Sequence, residues 1–389
     1  MRDAVIVDAV RTPVAKGKPD GAYHAIHPID LHAHVLRAIA ERTRLDSAEL
    51  DDVIGGTVTA IGEQSTNATR LASLAAGFPE AVPGTTVDRQ CGSSQQAISF
   101  AAQGVVAGAY DLVIASGAES MSRVPIGSAR QNGFVGGPGL EKRYPGGLIP
   151  QGVAAELIAR KWGLSRTQLD EFSARSHEKA ADAWRQGFFD AQITRVNELA
   201  TTDESIRPET SVERLAGLRT AFQDPRWEQR FGMIDWKITA GNSSPVNDGA
   251  AAVLITTSET AKGHGWRPRA RIHTATAVGD DPIFMLTGII PATAKVLDRA
   301  GLDLADIDAF EVNEAFAPVV LAWQAETGAD PAKVNIDGGA LAIGHPLGAS
   351  GARLATTLLS VLERTGGRYG LQVMCEAGGT ANATVIERL

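Results

Sequence analysis

Apolar residues recur along this chain at two spacings, and strand-like and helix-like stretches follow one another in nearly the same order at the beginning and at the end. Near the start, the alternating stretch 4–10 predicts a strand, after which Leu31, Val35, Ala38 and Ile39 share one face at helical spacing. Beyond Leu45-Asp46 come a strand over 52–56, a small-residue helix over 67–76 and a strand over 85–88. In the later part a strand over 271–278 leads to a helix over 292–297 that ends at Gly301-Leu302-Asp303. A strand over 307–312, a helix over 316–325 and a strand over 334–336 complete the parallel. Matching order of this kind is the mark of an internal duplication.

Each half then carries a strongly patterned helix: Ile98, Ala101, Ala102, Val105 and Val106 in one, Leu354, Thr357, Leu358, Val361 and Leu362 in the other. Both are followed by an apolar strand, over 112–116 and 371–375, and a last strand covers 383–386. Repeated β-α-β units predict an α/β protein with two mixed sheets and helices between and outside them. Residues 119–240 differ in character, with the run Gly136-Gly137-Pro138-Gly139, an amphipathic helix over 167–184 and irregular sequence over 225–236. They read as an inserted loop domain, after which 248–255 returns to the first half as a strand. The expected division is 1–118 with 241–268, 119–240, and 269–389.

At 389 residues and 44% hydrophobic content, the chain can bury one large core or two joined ones. No apolar run approaches the roughly 20 residues that cross a bilayer. The N-terminus enters a strand directly instead of a signal peptide, so a cytoplasmic protein without a membrane partner is expected. A net charge of -8 argues against a nucleic-acid partner, and an anionic substrate would need a local basic patch. The two cysteines form no C-x-x-C motif and are expected to be free thiols.

Cys91 lies between the strand ending near Asp88 and a helix expected to begin at about Gly92. A helix N-terminus stabilises a thiolate and lowers its pKa, which suits a nucleophile, although a buried inert cysteine is the commoner fate. His345 sits in a glycine-rich loop at the equivalent position of the second half, where an imidazole could take a proton from a thiol; the alternative is a turn. Cys375 ends a strand before a tight turn and is read either as an acid and base toward substrate carbon or as packing. Asn313 follows a strand and opens a helix, as an N-cap or as an oxyanion-stabilising amide. His24, His27, His32 and His34 have no partners at ligand spacing and are read as surface residues, with no metal site.

Cys91-Gly92-Ser93, Asn313-Glu314-Ala315-Phe316, Gly344-His345-Pro346-Leu347-Gly348 and Cys375-x-x-Gly378-Gly379 stand in the order and setting of the thiolase family, which the chain resembles over essentially its whole length. Arg11-Thr12-Pro13, Gly241-Asn242-Ser243-Ser244 and Asn247-Asp248-Gly249 add to the resemblance. It implies a duplicated α/β/α/β/α layered fold with an inserted loop domain, no permanently bound cofactor, coenzyme A and acyl-CoA as substrates, and a homodimer or homotetramer. It also implies a ping-pong reaction with Cys91, His345, Cys375 and Asn313 as catalytic residues. Cys91 takes the acyl group of a 3-oxoacyl-CoA, Cys375 protonates the departing acetyl-CoA enolate, and free coenzyme A accepts the acyl group. Backbone N–H groups of Cys91 and Ala377 would form one oxyanion site. Ala377 stands where the family usually has Gly, so a left-handed backbone there would be strained.

Ser244 and Arg219 match coenzyme A contacts, and Ala240, Ala315 and Phe316 match tunnel-lining positions; a solvated side chain is the plainer reading of Arg219. Pro150-Gln151-Gly152-Val153 stands where acetoacetyl-CoA-forming members carry His-Met-Gly, so the resemblance favours a degradative 3-ketoacyl-CoA thiolase over an acetyl-CoA C-acetyltransferase. Ketoacyl synthases and hydroxymethylglutaryl-CoA synthases lack the second active-site Cys. A non-catalytic lipid or sterol carrier of the same fold typically loses a catalytic residue. Glu376 should point away from Cys375 on a strand and serve structure. The acyl group, whether linear, branched or a steroid side chain, stays open.

Overall fold

A computed structural model describes residues 2–131, 135–196 and 198–389, so Met1 and four residues of the inserted segment lie outside it. The strands are β1 (Val5–Arg11), β2 (Ala15–Lys16), β3 (Asp52–Gly56), β4 (Gly84–Val87), β5 (Leu112–Ser120), β6 (Asn247–Thr256), β7 (Ala270–Gly279), β8 (Ile307–Val312), β9 (Tyr369–Glu376) and β10 (Thr380–Arg388). Helices of the first half are α1 (Pro28–Thr43), α2 (Ala68–Ala75) and α3 (Ser93–Ala107). The insertion contributes α4 (Gly137–Arg143), α5 (Gln151–Lys161), α6 (Arg166–Arg185), α7 (Val212–Ala216) and α8 (Pro225–Phe231). Then follow α9 (Ser258–Gly263), α10 (Ile289–Ala300), α11 (Ala317–Thr327), α12 (Ala340–Ile343) and α13 (Ser350–Thr365).

Strand order is β4-β3-β5-β6-β1-β7-β10-β9-β8, with β2 beside β6. The duplication is visible in the pairing. Parallel β3 and β5 pass through antiparallel β6 to β1, and parallel β8 and β9 pass through antiparallel β10 to β7. The two expected sheets share an edge, because Val5 and Ile6 pair with Arg271 and Ala270. The stretch 334–336 is not a strand: Val334 makes one parallel bridge to Phe310. A 3-10 turn at Pro331–Lys333 precedes it, and Asn335 takes a φ of 45°, a left-handed bend that ends the pairing.

Helices α1 and α2 cover the outer face of the first half and α10 that of the second, while α3 and α13 lie side by side in the middle and touch strands of both halves. The result is the layered arrangement of helix, sheet, helix, sheet and helix. Strand β1 is buried on both faces, and a bulge between Ile6 and Asp8 changes its parity. Ile6 and Ala9 therefore both face the central layer, and Val5, Val7 and Val10 face α1. Asp8, displaced by the bulge, pairs with Arg42 and Arg269.

The insertion leaves the first half after β5 but packs largely on the second, α5 against α11 and α6 against α12. A fully buried ion pair, Arg11 with Asp203 at 2.8 Å, ties it back to β1. The stretch expected to be irregular contains α8, because Asp224 accepts from the Arg226 N–H and Pro225 opens the helix. Among the described residues no helix is long and apolar enough to cross a membrane.

Candidate active site

Neither central helix has a side-chain cap at its start, where Gly92 precedes α3 and Ala349 precedes α13. The Gly92 and Ser93 N–H groups donate to the Arg89 and Gln90 carbonyls and the Ala352 N–H to Ser94 Oγ; the aligned peptide dipoles still concentrate positive potential at both helix starts, and Cys91 and the His345 loop stand at these two ends. The residue before Cys91, Gln90, has a φ of 48°. A non-glycine residue in the left-handed region marks a turn held against its own preference. Nothing in the residue type announces it.

Cys91 is buried and packs with Met121, Leu347, Leu354 and Met374. The expected lowering of its pKa is not found. Burial, reinforced by Cys375 and Glu376 within electrostatic reach, pushes the thiol well above its ordinary value. The desolvation of a thiolate here outweighs the helix dipole, so Cys91 rests protonated and needs a base.

His345 is buried, and its backbone N–H donates to Asn247 Oδ1 at 2.9 Å. Its Nδ1 lies 2.6 Å from Ser350 Oγ, and that hydroxyl donates to the Pro346 carbonyl at 2.8 Å. A hydroxyl has one proton to give, so Ser350 accepts from Nδ1–H and Nε2 keeps its lone pair. Burial, and then the Arg353 charge, hold the imidazole pKa down to about 3, which leaves the ring neutral.

Asn313 is not an N-cap, since α11 begins at Ala317 with Phe316 in the capping position. Instead its Nδ2 lies 3.5 Å from His345 Nε2 and 3.9 Å from Cys375 Sγ, while its buried Oδ1 has no partner among the described residues. Cys375, at the end of β9, is buried, and burial pushes its thiol up to about 12 against the pull of Asn313. Ala377 is not in the left-handed region; the positive φ values of this turn belong to Gly378 (87°) and Gly379 (81°). Alanine at 377 is therefore unstrained, and its N–H is retained.

Ser244 is placed by its N–H, which donates to the Ala315 carbonyl at 2.9 Å, and Ser243 bridges Phe316. Phe222 meets Phe316 edge-on at 6.0 Å and presses on Gly152 at the start of α5. Arg219 and Ala240 flank the Thr220–Thr239 bridge at the surface, and the Arg219 side chain makes no ion pair among the described residues.

Two acids to which the sequence reading gave no role hold these loops. Glu314 accepts from Ser176 Oγ, Asn335 Nδ2 and the Leu341 N–H, joining the Asn313 loop to the glycine-rich one. Glu119 accepts from the N–H groups of Val58, Thr59 and Gly348 and from Gln64. Their signal in sequence is an acid at or just past the end of an apolar strand, and for Glu314 its place in the Asn313-Glu314-Ala315-Phe316 motif. Of the four histidines His32 is not a surface residue, being buried against Ser116, while His24, His27 and His34 are half-buried and His27 caps α1. Among the described residues no group of three or more His, Cys, Asp and Glu is arranged to hold a metal.

The chain matches the family description "Thiolase, N-terminal domain" over residues 4–259 and "Thiolase, C-terminal domain" over residues 266–388. A steroid 3-ketoacyl-CoA thiolase of Mycobacterium tuberculosis is 52% identical over 400 residues, covering all of this chain and 95% of that protein. A 3-ketoacyl-CoA thiolase of Erwinia tasmaniensis is 43% identical, with both chains covered in full. The crystal structure of the Bacillus anthracis acetyl-CoA acetyltransferase superposes with a TM-score of 0.89 at 35% identity, over 100% of this chain and 99% of that one.

Proposed function

Because this chain belongs to the thiolase family, we propose that it is a 3-ketoacyl-CoA thiolase that carries the acyl group on Cys91. The observation that carries the reading is Asn313 Nδ2 lying between His345 Nε2 and Cys375 Sγ, 3.5 and 3.9 Å away. One amide thus joins a neutral base to a second thiol.

In thiolysis, His345 Nε2 takes the Cys91 proton as Sγ attacks the ketone carbon. Burial opposes either charge alone, but an adjacent thiolate and imidazolium support each other where the dielectric is low. The oxyanion collapses, the bond to C2 breaks, and its electron pair leaves on C2 as the enolate of acetyl-CoA. Cys375 protonates that carbon and becomes the thiolate. A thiol pushed up to about 12 suits this, since its conjugate base is strong enough to run the step backwards for condensation. Coenzyme A then gives its proton to Cys375 and attacks the thioester, and His345 returns its proton to Cys91. The backbone N–H groups of Cys91 and Ala377 hold one oxyanion, and His345 with a water on Asn313 holds the other.

Ser244 contacts the pantetheine, Ala240, Ala315 and Phe316 line the tunnel, and Arg219 lies toward the nucleotide. The same reading divides the chain into a first half, 1–118 with 241–268, a loop domain at 119–240 that receives coenzyme A and the acyl chain, and a second half, 269–389. It makes coenzyme A a substrate and not a resident cofactor, and the protein a cytoplasmic homodimer or homotetramer. The mycobacterial relative's name supports a bulky, ring-bearing acyl group.

Intact-protein mass spectrometry after incubation with a 3-oxoacyl-CoA tests the core of this reading. The expected result is a mass gain equal to the acyl group, mapped to Cys91, and its removal by coenzyme A. A carrier that binds acyl-CoA without an adduct on Cys91 would sink the proposal. A series from acetoacetyl-CoA through long-chain to polycyclic 3-oxoacyl-CoA then reports the preferred acyl group.

A further inference from the structure

Glu376 is fully buried, and the reaction described above leaves it unused. Strand alternation puts Cys375 and Ala381 in the core cluster on the α10 side. Glu376, Met374, Thr380 and Asn382 occupy the other face, opposite one another in the β9–β10 ladder. That face meets the start of α3, where Met374 packs with Cys91 and Asn382 Nδ2 donates to the Gly92 carbonyl at 3.4 Å. One carboxyl oxygen, Oε2, accepts from Thr380 Oγ1 at 2.7 Å. The other, Oε1, is buried without a partner among the described residues, and a Cβ added at Gly92 would lie 1.8 Å from it. The carboxyl therefore rests on the backbone of the residue that follows the nucleophile.

We propose that Glu376 is a positioning residue for the acylation step: as the neutral acid it packs on Gly92 and leaves the uncapped start of α3 to the charge developing on Cys91, and once ionised it competes for that charge's place and slows attack. This rests on reading Cys91 as the nucleophile. A helix start carries about half an elementary positive charge, and two buried anions beside it cannot both be stabilised. The charged or titratable groups facing Glu376 are Cys91 from the α3 side and Asp88 and Arg89 from the loop before it, with Cys375 of its own strand within electrostatic reach from the opposite face; the Gly92 N–H donates to the Arg89 carbonyl at 3.1 Å, and β10 offers the neutral Thr380 and Asn382. Burial, opposed by Thr380 and Arg89, moves its pKa up to about 8. The acid is thus neutral below that pH and gains its charge above it.

Iodoacetamide alkylation of Cys91 in the full-length protein, followed by peptide mapping from pH 6 to pH 10, tests this without requiring turnover. At pH 6.5 wild type and Glu376→Gln are expected to react within about twofold of each other. At pH 9 the Gln variant is expected to react about tenfold faster, because no carboxylate then opposes the thiolate. Thr380→Val removes a hydrogen bond to the ionised form and is expected to move the wild-type break to higher pH, which keeps the test alive if Glu376→Gln does not fold. Superimposable profiles for wild type and Glu376→Gln, or one constant factor between them at every pH, would overturn the proposal. Failure of Cys91 to accept an acyl group would overturn the assigned reaction and leave this comparison intact.

Discussion

At His345 the basic nitrogen is chosen by a neighbour. Ser350 commits its only proton to the Pro346 carbonyl, so Nδ1 must be the protonated nitrogen and Nε2 faces Asn313 with a lone pair. Replacing Ser350 with Ala removes the acceptor that holds this tautomer. The expected result is a fall in kcat of roughly 10- to 100-fold with KM little changed, read from thiolysis kinetics; a change confined to KM would show that Ser350 serves binding alone. The candidates themselves were legible in the sequence, because a thiol at a strand-to-helix joint, an imidazole in a glycine-rich loop and a thiol at a strand end are unusual enough to stand out. Their protonation was not. The helix start is a local property of sequence, whereas the burial that outweighs it at Cys91 comes from Leu347, Leu354 and Met374, far away along the chain.

At the scale of elements, α3 begins where β9 ends and β10 starts, and the fit between them is a glycine against a carboxyl group. The φ of Gly92 is -88°, which any residue adopts, so the requirement is for space and not for backbone freedom. Gly92→Ala is expected to destabilise the protein by about 1–3 kcal/mol through overpacking. Combining it with Glu376→Ala, which vacates that space, should recover part of the loss in urea unfolding. Strictly additive costs would contradict the contact. Helix and strand periods placed most of the elements, including both central helices, since their apolar positions recur on one face over 98–106 and 354–362. The stretch 334–336 misled because three residues cannot distinguish a strand from a turn, and the bend at Asn335 depends on its side chain bonding Val312 and Glu314.

Over the whole molecule the two halves meet along α3 and α13, and the contact is close enough that a Cβ at Gly351 would lie 2.1 Å from the Gln95 nitrogen. Gly351→Ala is expected to cost about 1–3 kcal/mol in urea or thermal unfolding and to lower activity with it, because both helix starts carry the site; wild-type stability would show that the halves can separate freely. This approach also explains why small residues line the central helices and β6. The sequence by itself determined the duplication and the order of its elements and singled out the candidates for chemistry, because periodicity and residue type are local quantities. Only the tertiary structure decided that the halves share one sheet, that Ala377 sits unstrained, that Cys91 rests as a thiol, and that Glu376 lies against the helix start behind it. Those outcomes depend on desolvation and contact between segments hundreds of residues apart, which no spacing along the chain encodes.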